Sequence, residues 1–590
     1  VSTSFLTDPP RFLFFTGKGG VGKTSLACAS AIRLAVSGSR VLLVSTDPAS
    51  NIGQVFDLHI GNVVTQVPAV PGLSALEIDP EQAAEAYRER IVGPVRGLLP
   101  ESEIASITEQ LSGSCTTEIA AFNEFTGLLT DPQLTGRFDH ILFDTAPTGH
   151  TIRLLQLPGS WTEYLQAGKG DASCLGPLSG LDRQRATYAA AVATLTDPHQ
   201  TRMILVTRPQ SSALAEIART AAELGAIGIA SSTTVINGVL PENAGDEPLA
   251  AAIRRREGAA MDALPTALIG SSIDHVGLKE VNMVGVPALR SLLDDEADQA
   301  ASRPASDPRP APVGPPVGVE PLRALVDGIE ADGHGLVLCM GKGGVGKTTI
   351  AAGIAVALAE RGHDVLLTTT DPAAHLSDTL AGAVAGLQVS RIDPVEATRV
   401  YRERVMAGKG ASLDNAGRAV LAEDLRSPCT EEVAVFQQFS KVVHESRQRF
   451  VIVDTAPTGH TLLLLDAAGA YHREVARQFG DSGNYTTPLM RLRDPRQTKV
   501  VLVTLAEPTP VAEAEELQAD LRRAGIRPWA WVVNNSLAAA APTSAFLRRR
   551  AENERGPITR VHELSGLVAV VPLLAHEPIG ETALSALTGT

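Results

Sequence analysis

Two stretches of this chain carry the same eight-residue signature. Residues 17–24 read GKGGVGKT, and residues 341–348 read it again, 324 positions on. The pattern G-x-x-x-x-G-K-[ST] suits a loop whose glycines let backbone N–H groups close on phosphate oxygens at a helix N-terminus. Gly17, Lys18, Gly19, Gly20, Val21, Gly22, Lys23, Thr24 and Ser25 thus form one expected nucleotide cradle. Gly341, Lys342, Gly343, Gly344, Val345, Gly346, Lys347, Thr348 and Thr349 form the other. Lys23 and Lys347 are expected to reach the β/γ-phosphates, and Thr24 and Thr348 to hold Mg²⁺. Asp144 and Asp454 close apolar runs, where the Mg²⁺ carboxylate of phosphoryl-transfer sites belongs. Asp47 and Asp371, in the two TDPA segments, are expected beside the same ion, positioning or deprotonating the attacking water. A plain turn before proline is the alternative role for Asp47. Asn237 and Asn534 follow late apolar runs and are expected to read adenine, although an Asn there also suits a turn.

These residues need a frame, and the sequence supplies it twice. VLLVSTDPAS (41–50) matches VLLTTTDPAA (365–374), and IDPEQAAEAYRERI (78–91) matches IDPVEATRVYRERV (392–405). The offset between copies drops from 324 to 314 between those pairs, so the second copy is about ten residues shorter there. FDTAPTGHTIRLL (143–155) returns as VDTAPTGHTLLLL (453–465). Short apolar runs ending in polar residues alternate with helical spacing, as in RFLFFTG followed by KTSLACASAIRLAVSG. That alternation predicts an α/β fold: two homologous halves, each a mostly parallel sheet flanked by helices, related by a pseudo-two-fold. Active groups should gather at the carboxyl ends of the strands. The segment 301–320 holds six prolines and little apolar content, which predicts a stiff linker between halves 1–300 and 321–590.

Composition narrows the function. A net charge of −15 leaves no basic stripe to grip nucleic acid. No apolar run is long enough to span a bilayer, and no leader opens the chain, which predicts a cytoplasmic protein with reduced thiols. The five cysteines form no C-x-x-C. Cys28 and Cys339 read as small core residues. Cys115 and Cys429 occupy equivalent positions ahead of a Glu-containing helix, whose N-terminus favours a thiolate. Cys174 has no counterpart in the second half. Three such thiols, brought together from loops, would suit a pyramidal As(III) or Sb(III); three unrelated core thiols remain the alternative.

Lys18 and Lys342, directly after the first glycine, make each loop resemble the deviant Walker motif, in which this signature lysine serves the nucleotide of a facing copy. With both loops, both DTAPTGHT segments, the linker and a cysteine in each CTxE segment, nearly the whole chain resembles the arsenical pump-driving ATPases. The resemblance implies ATP hydrolysis with Mg²⁺, stimulated by As(III) or Sb(III), that drives metalloid extrusion from the inner face of the membrane. It implies a membrane arsenite permease and an arsenic metallochaperone as partners. It also implies Cys115, Cys174 and Cys429 as metalloid ligands, with His150, Ser427 and His460 as auxiliary contacts. The tail-anchored-protein targeting ATPases share the motif but resemble single-loop homodimers with a C-x-x-C zinc site and a Met-rich groove. This chain has two loops, no C-x-x-C and six methionines. An iron–sulfur reductase component would need two cluster cysteines per half. A partitioning ATPase would need basic patches or a terminal amphipathic helix.

Overall fold

The computed structural model describes residues 3–46, 52–96, 114–145, 181–294, 320–371, 376–425, 428–456 and 487–589, with short pieces between 100 and 111. It divides into two compact units, residues 1–244 with 253–308, and residues 245–252 with 309–590.

The first unit carries β1 (Phe12–Thr16), β2 (Val41–Ser45), β3 (Thr65–Gln66), β4 (Leu73–Glu77), β5 (His140–Asp144), β6 (Thr201–Thr207), β7 (Ser231–Val239) and β8 (Ser272–Gly277). They lie in the order β3-β4-β2-β5-β1-β6-β7-β8. Every pairing is parallel except β3 with β4. The second unit carries β9 (Gly335–Met340), β10 (Val365–Thr369), β11 (Leu387–Arg391), β12 (Phe450–Asp454), β13 (Thr498–Leu505), β14 (Ala530–Ser536) and β15 (Val568–Pro572). Their order, β11-β10-β12-β9-β13-β14-β15, repeats the first without β3.

The central strands are buried on both faces, which is why they read as continuous apolar runs rather than alternating ones. FLFFT and VLLVS are buried at every position. On one face of the first sheet Phe14 stacks on Phe143 at 4.4 Å, with Phe125 packed edge-on against both. On the other, the helix Lys23–Val36 buries Leu26, Cys28, Ile32 and Leu34. The helix Lys347–Glu360 does the same with Ile350, Ile354, Val356 and Leu358. Both helices stop in the same way. Gly38, at φ 102°, donates to Ala35 O while Ser39 N donates to Leu34 O; Gly362, at φ 89°, and His363 repeat the pair on Ala359 and Leu358. This glycine-terminated cap satisfies carbonyls the helix leaves over. The expected α/β architecture in two parallel-sheet halves is the one found. Among the described residues no helix is long and apolar enough to cross a membrane. The Pro-rich segment lies almost wholly outside the described residues.

Candidate nucleotide sites

Each phosphate loop joins a central strand to the N-terminus of a buried helix. β1 ends at Thr16 and the helix starts at Lys23; β9 ends at Met340 and the helix starts at Lys347. Gly22 and Gly346, at φ 90° and 91°, turn the chain into the helix through the left-handed region. A Cβ at either would collide with the Nδ2 of Asn237 or Asn534. Each loop is thus closed against one asparagine: Asn237 Nδ2 donates to Val21 O at 2.8 Å, and Asn534 Nδ2 to Val345 O at 2.9 Å. Both asparagines are buried, and their amide donors brace the loop backbone from β7 and β14, each two places along the sheet from the strand that carries the loop.

The lysines are held inside the loops. Lys23 Nζ donates to Lys18 O at 3.1 Å and Lys347 Nζ to Lys342 O at 2.9 Å, each ammonium closing its own loop. The signature lysines pair with carboxylates of their own half. Lys18 Nζ lies 3.0 Å from Glu216 Oε2, and Lys342 Nζ pairs with Glu513 Oε1. Glu216 and Glu513 sit at matching places on the helices Ser211–Ala226 and Pro508–Arg523, which follow β6 and β13. Sequence reasoning missed them, although aligning the late strands of the two copies would have set them in register.

Thr24 Oγ1 donates to Asp144 Oδ2 at 2.7 Å, and Thr348 Oγ1 to Asp454 Oδ2 at 2.8 Å. Parallel pairing places the aspartates beside the loop: Phe15 is opposite Asp144, and Cys339 opposite Asp454. The next residue fixes the strand end. Thr145 Oγ1 donates to Phe15 O at 2.8 Å and Thr455 Oγ1 to Cys339 O at 2.9 Å. This gives a structural role to the threonine of each DTAP segment. Burial raises the Asp454 carboxyl to about 6, against the lowering pull of Lys347 and the Thr348 hydrogen bond. Among the described residues Asp454 Oδ1 is buried and has no hydrogen-bond partner. An oxygen-only set of threonine hydroxyl and carboxylate, with an acceptor oxygen in reserve, fits Mg²⁺.

Asp371 is half-buried after β10; its backbone N–H is held by Thr369 Oγ1 at 3.0 Å, and its charge helps raise Asp454. Asp47, His150, Cys174, Ser427 and His460 lie outside the described residues. Cys115 and Cys429 do not precede their helices in loops. Each is the second residue of its helix, Ser114–Thr130 and Pro428–Glu445. The expected core cysteines are core. Cys28 and Cys339 are fully buried, and burial, with Asp144 or Asp454 nearby, pushes both thiols up from their usual range.

Comparison with known proteins agrees with this geometry. The family model for anion-transporting ATPases matches residues 10–295, 334–491 and 483–590. An arsenical pump-driving ATPase of Escherichia coli is 58% identical over 591 residues, covering 99% of this chain and all of that protein. One from Acidiphilium multivorum is 59% identical over 581 residues, covering 98% of each. With two phosphate loops braced by the same contacts and a family match along both halves, this chain belongs to the anion-transporting ATPases and is an ATP-hydrolysing enzyme.

Proposed function

We propose that this ATPase is stimulated by As(III) or Sb(III) and drives their extrusion through a membrane arsenite permease. The observation that carries the reading is the doubled placement of thiols and phosphate loops. Cys115 and Cys429 stand at the same second helical position in the two halves, each within a unit that holds a complete loop, threonine and aspartate. A helix N-terminus stabilises the thiolate that a thiophilic metalloid requires. Whole-length likeness to proteins named arsenical pump-driving ATPases supports the same assignment.

In this reading Cys115, Cys174 and Cys429 bind the metalloid cargo, assisted by His150, Ser427 and His460. Each phosphate loop takes one ATP, with Lys23 and Lys347 on the phosphates and Asn237 and Asn534 on the adenine side. Thr24 with Asp144, and Thr348 with Asp454, hold Mg²⁺, joined by Asp47 and Asp371. Bound there, Mg²⁺ would supply charge neutralisation to the phosphates. Asp47 and Asp371 orient the attacking water. Segments 1–300 and 321–590, tethered by 301–320, act as an internal dimer in which Lys18 and Lys342 each serve the other half's nucleotide. The DTAPTGH segments start at the Mg²⁺ aspartates, and in this reading they carry the loss of the γ-phosphate to the metalloid site. Linkage makes the effect reciprocal: metalloid tightens nucleotide, and nucleotide tightens metalloid. A metallochaperone delivers the cargo, and the protein works in the cytoplasm at the inner membrane face.

The test is steady-state ATP hydrolysis with and without As(III) or Sb(III), in the parent and in Cys115→Ser, Cys174→Ser and Cys429→Ser. Stimulation in the parent that disappears in the variants is the expected result. Equal rates with and without metalloid in the parent would overturn the reading.

A further inference from the structure

The two signature lysines are not waiting in solvent. Lys18 and Lys342 each bond a glutamate of their own half, and the arrangement occurs twice on equivalent helices. The carboxylates are the buried partners: the Glu216 side chain is 11% exposed and that of Glu513 5%, against 39% and 20% for the lysines. A buried carboxylate whose paired cation departs bears a desolvation cost, so each ion pair opposes the release of its lysine. Residue 18 is held a second time, because its carbonyl accepts from Lys23; residue 342 is held likewise by Lys347. Phosphate oxygens in the loop would draw those ammonium groups away from the carbonyls. The glutamate contact would still restrain the signature lysine.

We propose that Glu216 and Glu513 are positioning residues that keep Lys18 and Lys342 in their own halves at rest, so that release of these ion pairs is a required step of activation. The proposal rests on the reading that the signature lysines serve the facing nucleotides. It adds the groups that hold them back. The two restraints are unequal: Lys342 is the more enclosed lysine and Glu513 the more enclosed carboxylate, so the second half is the harder to release.

The experiment uses the full chain. Amine acetylation with N-hydroxysuccinimidyl acetate, read residue by residue by mass spectrometry, reports the freedom of Lys342 without nucleotide. In Glu513→Gln, which preserves shape and removes charge, Lys342 should label several-fold faster. Its basal ATP turnover should rise by about two- to tenfold, the shift that release of one partly exposed ion pair supports. The metalloid-stimulated ceiling should stay unchanged, so the stimulation ratio falls. Glu513→Asp keeps the charge and should return labelling toward the parent rate. Unchanged Lys342 labelling in Glu513→Gln, or a fall in its basal turnover, would overturn the proposal. So would Glu513→Asp behaving like Glu513→Gln, which would assign the effect to packing. If metalloid fails to stimulate the parent, the transport reading fails, while the labelling and basal rates still decide the role of Glu513.

Discussion

At one edge of the first sheet, β4 is buried from Leu73 to Leu76 and flanked by the antiparallel β3. At the corresponding edge of the second sheet, β11 is open at Gln388, Val389 and Arg391 and has no outer neighbour among the described strands. The shorter spacing of the second copy falls in this region, so the edge took the loss. The phosphate frames tell the opposite story. Threonine on aspartate, asparagine on loop carbonyl, loop lysine on loop carbonyl and signature lysine on glutamate recur without a change of residue type. A sheet edge can trade a covering strand for polar side chains at little cost. A loop that wraps phosphate has no such slack, because its backbone carbonyls and amides are already committed.

The largest effects should therefore come from breaking the conserved frame. Lys23→Met and Lys347→Met together should lower ATP turnover by about 10²- to 10³-fold, the scale for losing a charge-stabilising donor. Each single variant should fall by at least about tenfold, rather than by half, because each loop lysine also anchors the signature lysine's residue. A single variant that keeps half the parent rate would show two independent engines and break the comparison at its centre.

Next come the turns into the helices. Gly22→Ala and Gly346→Ala combine a left-handed φ with a collision against a buried asparagine. Each should cost about 2–4 kcal/mol, seen as a drop of roughly 5–10 °C in the melting temperature of the affected unit. Equal losses in the two halves would extend the equivalence from contacts to energetics; a loss in one alone would show that its loop can relax.

Much of this frame was legible beforehand. Glycine, lysine and threonine at fixed spacing announce the loop, and a strand ending in aspartate announces the carboxylate that meets the loop threonine, since both depend on local sequence. Glu216 and Glu513 were not legible, because a glutamate on a helix reads as a solvated residue. Only the tertiary placement of that helix beside the loop reveals its partner. The position of Cys115 and Cys429 inside their helices was partly available: Ser114 and Pro428 are residue types that open helices. The strand-end position of Asn237 and Asn534 is visible in sequence, whereas their hold on Val21 and Val345 spans 216 and 189 residues and is not.

A subtler difference lies just after β7 and β14, the strands that carry Asn237 and Asn534. Glu257 and Glu554 are buried carboxylates that accept backbone N–H groups just after those strands, at Leu240 and at Leu537 and Ala538. Burial raises both carboxyls. The opposing positive charge comes from Arg208 and Arg256 in the first half but from Arg550 in the second, where Leu505 replaces Arg208. Arg208→Leu should destabilise the first half by about 1–2 kcal/mol at pH 7, measured by urea unfolding. A carboxyl raised in the fold binds its proton more readily there, so its burden on stability appears as pH rises above the unfolded value. Without Arg208 it is raised further. The cost of the substitution should accordingly be present at neutral pH and vanish below about pH 4, where Glu257 is protonated in both states. A pH-independent cost would assign Arg208 to packing instead.

The smallest expected effect is a gain. Gly225 lies near the C-terminal end of the helix Ser211–Ala226, solvent-exposed, and a Cβ there meets no atom within 4 Å. Its counterpart in the second half is Arg522, within the helix Pro508–Arg523. The second half thus already carries a side chain where the first keeps a glycine, and nothing in the local backbone requires one. Glycine in a helix loses more conformational freedom on folding than any other residue. Gly225→Ala should stabilise the first half by about 0.5–1 kcal/mol and leave ATP turnover unchanged, since the substitution lies about two and a half turns from Glu216. A turnover that changed with Gly225→Ala would mean that this helix must flex as Lys18 is released, and would move the difference between the halves from their edges into the machinery itself.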